Sequence, residues 1–105
     1  MTTIDTTREV TLETTPEDAR RCRHLGQARP VRPSAPGCEE CLAIGSPWVH
    51  LRICLTCGQV GCCDSSPNRH ASGHHATTGH PLIRSLELGE RWGWCFVDAV
   101  PVGAA

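Results

Sequence analysis

Residues 54–62 read Cys54-Leu55-Thr56-Cys57-Gly58-Gln59-Val60-Gly61-Cys62, and this nonapeptide decides how the remainder of the chain is read. Cys54 and Cys57 form a C-x2-C pair, in which a short turn lets both thiolates reach one ion at the ~2.3 Å of a zinc–sulfur bond. Gly58 suits the left-handed backbone position that such a knuckle often requires. Upstream, with twelve residues between the pairs, Cys38-Glu39-Glu40-Cys41 repeats the pattern, its two glutamates expected to face solvent. Downstream stand Cys62 and the histidines His70, His74 and His80. His70 and His74 are spaced i, i+4 and project from one face of a helix, so spacing alone assigns them to one ion.

Working outward, Cys22-x-His24 lies near the start and Cys95-x2-Asp98 near the end. Joined over one ion, they would clasp the two ends of the domain. Seven cysteines (all except Cys63), His24, His70, His74, His80 and Asp98 make twelve donors, enough for three closed four-coordinate sites. Three Zn2+ ions are therefore the expected cofactors.

The rest of the composition makes metal necessary. In 105 residues there are 8 Cys and 6 His. Residues 21–98 hold only 18 Val, Ile, Leu, Phe and Trp. That is a thin core for one domain, and small domains usually close such a gap with disulfides or metal. The first residues, Met1-Thr2-Thr3-Ile4-Asp5, do not read as a secretory signal. Arg20-Arg21 is followed by Cys22-Arg23-His24 rather than an apolar run, so export is not expected either. A cytoplasmic chain is kept reduced, which favours metal over structural disulfides for these pairs.

Composition also excludes classes. No apolar run approaches the roughly 18 residues of a membrane span. All ten basic residues are arginine, against eleven acids, for a net charge of −1. The chain is thus no polycation built for nucleic acid.

A coarse structural reading gives an α+β unit: a small zinc-stabilised domain with an antiparallel sheet, one main helix at about 67–78 and interleaved zinc sites. Residues 1–19, with seven threonines and no periodicity, read as a mostly disordered leader with a short edge strand near Val10–Leu12. Residues 20–100 form the domain and 101–105 a short tail. Ser66-Pro67 is an N-cap followed by proline at the first helical position, and Gly79 with Pro81 stops the helix. Strands are expected over Trp48–Leu55, Gln59–Gly61, Pro81–Leu86 and Trp92–Val97, the last two as a hairpin.

The order C-x-H, C-x2-C, C-x2-C-G, C, H, H, H-P, W-C resembles a UBP-type zinc finger, the ubiquitin-binding finger of ubiquitin-specific proteases and a cytosolic histone deacetylase. The likeness spans Cys22 to Asp98 and is most specific in Cys57-Gly58-Gln59-Val60-Gly61-Cys62 and Gly79-His80-Pro81-Leu82. It implies Cys38, Cys41, Cys62 and His70 at one zinc, and Cys54, Cys57, His74 and His80 at a second. Cys22, His24 and Cys95 would hold a third. This divides His70 from His74, against their spacing. Where the family usually has a last cysteine, Asp98 stands here; it completes the third site as a carboxylate ligand or leaves the place to water. Family members that bind the free C-terminal Gly-Gly of ubiquitin carry an Arg just after the residue matching Cys62, where this chain has Cys63 and Asp64.

The resemblance implies a non-enzymatic module that recognises a peptide or protein tail, a C-terminal Gly-rich one among the candidates, and acts as a monomer. Its pocket would use Trp48, Trp94 and Phe96, with Arg69, Arg52 or Arg91 supplying a displaced cation. Ubiquitin itself is a doubtful ligand, because Asp64 would repel an incoming carboxylate. Alternation in the last strand sends Trp92, Trp94 and Phe96 to one face together. Cys63 reads as a spare buried thiol, His75 as a solvated helix-face histidine and His50 as exposed.

Two rival functions follow from other features. Cys22, His24, Cys95 and water would make an open hydrolytic zinc site. Arg20, Arg21, Arg23, Arg29 and Arg32 would make a nucleic-acid patch, detectable by steep salt dependence.

Overall fold

A computed structural model describes residues 4–103. These residues run through three helices, α1 (Pro16–Arg21), α2 (Glu39–Ile44) and α3 (His70–Thr78), with a 3-10 turn at Leu25–Gln27. Five strands, β1 (Leu51–Cys54), β2 (Val60–Cys62), β3 (Leu82–Ser85), β4 (Gly93–Cys95) and β5 (Val100–Val102), form one sheet in the order β2-β1-β3-β4-β5. Every neighbouring pair is antiparallel. The fold is α+β, as the sequence implies.

Register assigns the two faces. Arg52 lies opposite Ser85, and Ile83 opposite Trp94, so these four side chains share a face. Ile53, Leu82, Cys95 and Val102 take the other and join Cys22, Val31 and Leu55 in the larger buried cluster. A second cluster is Cys38, Cys41, Leu51, Val60 and Cys62. Five of the twelve residues in these clusters are cysteines, so the core is built around thiols rather than branched hydrocarbon alone.

Helix α3 crosses the face that carries Arg52 and Trp94. Its approach needs Gly61: a Cβ there would come within 2.8 Å of the Ala71 backbone nitrogen. Gly58 sits at φ 85°, the left-handed value that its place after Cys57 suggests.

Several expectations are corrected. Helix α3 starts at His70, not at 67, because Ser66 is buried and its hydroxyl accepts from the Val49 N–H at 2.9 Å instead of capping. Arg69, at φ 47°, then turns the chain into the helix through a left-handed residue. Gly79 ends it in the left-handed conformation, as expected. Strand β1 starts at Leu51, three residues later than expected. The first knuckle, expected as a short turn, is the start of α2.

The stretches read as leader and tail also carry structure. Thr15 caps α1 in a reciprocal capping box with Asp18, and Val10 bridges Val31 as an isolated pair in place of an edge strand. The segment read as a short tail supplies β5, whose Val102 is fully buried. Pro101 is compatible with this because β5 is an edge strand and needs no ladder donor there. No helix among the described residues is long and apolar enough to cross a membrane.

Candidate metal centres and an aromatic cavity

The structure brings the twelve expected donors into three groups of four: Cys38, Cys41, Cys62 and His70; Cys54, Cys57, His74 and His80; Cys22, His24, Cys95 and Asp98. A tetrahedral zinc with ordinary bond lengths sets donor–donor edges of about 3.8 Å between sulfurs, 3.6 Å from sulfur to nitrogen and 3.4 Å between nitrogens. In the first group, Cys41 Sγ and Cys62 Sγ are 3.8 Å apart, and Cys38, Cys41 and Cys62 lie 3.3, 3.2 and 3.7 Å from His70 Nδ1. In the second, Cys57 Sγ is 3.4 Å from His74 Nε2, Cys54 Sγ 3.5 Å from His80 Nδ1, and the two ring nitrogens 3.3 Å from each other. These separations fit the ion.

The third group fits less evenly. Cys95 Sγ lies 3.6 Å from His24 Nδ1 and 3.5 Å from Asp98 Oδ2, but the ring nitrogen and the carboxylate oxygen are only 2.8 Å apart. That last edge has the length of a hydrogen bond. The Arg23 N–H also donates to Asp98 Oδ2 at 3.0 Å. This hydrogen bond, with the neighbouring His24, holds the Asp98 carboxyl below its ordinary value.

His70 and His74 go to different groups, so the one-ion expectation from helical spacing is overturned. His70, in the first turn, presents Nδ1 toward Cys62 at the end of β2; His74 presents Nε2 toward Cys57. The i, i+4 rule places the two Cβ atoms on one face but does not fix which ring nitrogen points where. Backbone amides steady the sulfurs: His24 N–H to Cys22, His70 N–H to Cys62 and Asp98 N–H to Cys95, at 3.4, 3.2 and 3.4 Å. Exposed Glu40 approaches His70 Nε2 at 3.5 Å, an outer carboxylate of the kind that orients ligating imidazoles.

Burial pushes the Cys22 thiol up to about 11 and the Cys38 thiol up to about 12, and raises Cys54 as well. Without metal these sulfurs keep their protons at neutral pH, so taking up an ion must expel them. Burial, reinforced by His80, pulls His74 down and favours the neutral ring that can ligate.

On the sheet face under α3 lies a cavity of about 240 Å³. Trp92, Trp94 and Phe96 are its aromatic lining, and Arg52, Asp64 and Ser72 line it too. Of the expected pocket residues, Trp94 and Phe96 line it; Trp48 and Arg69 do not. Trp48 packs instead against the Cys38–Cys41 cluster, with its ring over Gly37. Arg69 is exposed at the start of α3. The cation found at the cavity is Arg52, its guanidinium 4.6 Å from the centre of the Trp92 ring.

Buried Cys63 also borders the cavity. Burial pushes its thiol up, but the Ser66 hydroxyl, neighbouring backbone and the Arg52 charge outweigh this and bring it down to about 7. His75 is not a freely solvated residue. Its ring stacks on Phe96 at 4.6 Å and 12°, and Nδ1–H donates to the His80 carbonyl at 2.8 Å. A stacking partner for Phe96 on α3 could have been sought in the sequence; the pairing depends on tertiary distance.

The fold and the three donor groups together have the make-up of a small zinc-finger domain. The family described as "Zn-finger in ubiquitin-hydrolases and other protein" matches residues 38–103, and the chain belongs to it. Histone deacetylase 6 of Caenorhabditis elegans is 30% identical over 79 residues, which are 71% of this chain and 8% of that protein. The chain therefore spans a small fraction of that relative's length. The solution NMR structure of protein RPA1320 from Rhodopseudomonas palustris is 62% identical, with a TM-score of 0.73, over 78% of this chain and 80% of that one.

Proposed function

We propose that the chain is a non-enzymatic, monomeric recognition module whose aromatic cavity receives an extended segment of a peptide or protein partner. Three zinc ions would hold it, one in each donor group, with Asp98 as the fourth ligand of the third. When bound, zinc supplies structural cross-links and no chemistry on the ligand. The observation that carries the reading is the cavity itself: Trp92, Trp94 and Phe96, on β4 and its two flanks, line it together, in a sheet whose strands end in Cys54, Cys62 and Cys95. A wall anchored in this way is ordered before the partner arrives, which lowers the entropy cost of binding. The cytoplasm, where thiols stay reduced, is the compartment such sites need.

Trp94, with the part of Phe96 that the stacked His75 ring leaves uncovered, would provide flat apolar surface for an extended backbone. Asp64, which lines the cavity, disfavours a free carboxylate, so ubiquitin's C-terminal tail is not the expected ligand. Selection of a hexapeptide library on the zinc-loaded chain tests the reading. Enriched peptides should lose binding to a Trp94→Leu variant of unchanged zinc content. Enrichment that survives this substitution, or no enrichment at all, overturns it. Calorimetry with ubiquitin and with its C-terminal peptide should give no heat.

A further inference from the structure

The three donor groups are not equally shielded. Of their seven cysteines, six are buried and Cys57 is exposed. Its group is the most open of the three, since His74 and His80 are only half-buried and Cys54 is its one buried donor. Hydrogen bonding draws the same line. Backbone N–H groups donate to Cys22, Cys62 and Cys95, and the Asn68 side-chain amide to Cys41 at 3.7 Å. Among the described residues no amide donates to Cys57, whose polar neighbour is the His74 ring. A ligating cysteine is a thiolate, and its susceptibility to oxidants follows thiolate character and access. Burial and amide donors screen the other sulfurs; Cys57 has neither screen. Buried Cys54 stands behind it, with the ligand atoms of the group all within 4.8 Å of one another.

We infer that Cys57 is a modification site for hydroperoxides, with Cys54 as its resolving partner, and that oxidation of this pair releases the ion of the second donor group while the other two groups keep theirs. The Cys57 sulfur attacks one peroxide oxygen, so that an S–O bond forms, the O–O bond breaks and hydroxide leaves. The Cys54 sulfur then displaces the remaining hydroxide from the sulfenic acid and closes a Cys54–Cys57 disulfide. The two sulfurs give up two electrons, and hydrogen peroxide, taking two protons from solvent, ends as two waters. A disulfide offers no thiolate, and His74 with His80 make only half of a closed zinc site. The cavity adjoins the stretch that is released: His75 stacks on Phe96 and donates to the His80 carbonyl. Peptide recognition plays no part in the chemistry, so its failure would leave this modification standing.

The test exposes the zinc-loaded full chain to hydrogen peroxide. Native mass spectrometry counts the ions, and peptide mapping after acid quenching locates the oxidised sulfurs. The first ion lost should accompany the Cys54–Cys57 disulfide and take the chain from three ions to two; dithiothreitol with added zinc should restore the third. Amide resonances of residues 74–80 and of Phe96 should shift in step with that loss. Cys57→His, which keeps a fourth ligand but no oxidisable sulfur there, should hold its ions under the same exposure. Mapping of the wild-type chain decides the matter should this variant fail to load. First oxidation at Cys63 or within another donor group, loss of all three ions together, or retention of all three overturns the inference. A chain that holds no ion at this group before peroxide is added overturns it together with the three-zinc reading.

Discussion

Replacing Asp18 by alanine should destabilise the zinc-loaded chain far more than its place in a threonine-rich leader suggests. Asp18 is 3% exposed, and its Oδ2 accepts both the Thr15 N–H at 2.9 Å and the Gly103 N–H at 3.1 Å. One carboxylate thus closes the N-terminus of α1 and ties it to the end of β5. Loss of the cap costs about 1 kcal/mol, and loss of a hydrogen bond to a charged acceptor about 1.5–3 kcal/mol. The expected cost is roughly 2.5–4 kcal/mol, a large part of the about 5–15 kcal/mol that holds a domain together. Urea denaturation at neutral pH, with zinc present throughout, reads this as a lower midpoint at unchanged slope.

The Thr15 and Gly103 amides, together with Arg21, hold the Asp18 carboxyl below its ordinary value despite burial. Its contribution is therefore full above the unfolded value of about 4 and disappears as pH falls through the lower folded value. The difference between wild type and Asp18→Asn should narrow in acid over that window, before allowance for zinc loss. A midpoint shift for Asp18→Ala worth less than about 0.5 kcal/mol would refute the assignment of the first helix to the folded unit.

Other perturbations test the metal and the packing. Chelation with EDTA should collapse dispersed amide resonances, since structural zinc contributes on the order of 10–16 kcal/mol in small finger peptides; dispersion that persists in demetallated protein would refute metal dependence. Because burial holds the Cys22 and Cys38 thiols at about 11 and about 12, adding zinc to the reduced apo-chain at neutral pH should acidify a weakly buffered solution, read with an indicator dye. Asp98→Ala should lower the ions counted by native mass spectrometry from three to two, and Asp98→Cys should restore the third. Gly61→Ala should cost about 1–3 kcal/mol by overpacking, since its Cβ would press on the Ala71 backbone rather than on a movable side chain. Thermal melts of the zinc-loaded form would show it.

The donor set was legible because metal chemistry is written in residue type and spacing: two C-x2-C pairs, Cys62 and the downstream histidines point to tetrahedral ions before any coordinate is known. Which donors share an ion was not legible in spacing; only the family resemblance separated His70 from His74, into the groups that the structure brings together. His70 and His74 lie on one helix, yet each uses a different ring nitrogen and reaches a different pair of strands and turns. Local signals misled where tertiary bonds compete for the same group. Ser66 has the chemistry of a cap but accepts from Val49 instead. The Thr15–Asp18 capping box was visible in Thr15-Pro16-Glu17-Asp18, but the sparse large apolar residues around it read as disorder. Trp48 packs away from the cavity, and of the three candidate cations Arg52 rather than Arg69 lines it, because aromatic residues in a small core serve packing and recognition alike and sequence does not say which.

The third donor group joins Cys22 and His24 to Cys95 and Asp98, residues separated by more than seventy positions. An ion held there would act as a drawstring, cinching the first helix and the last two strands of the sheet with one knot.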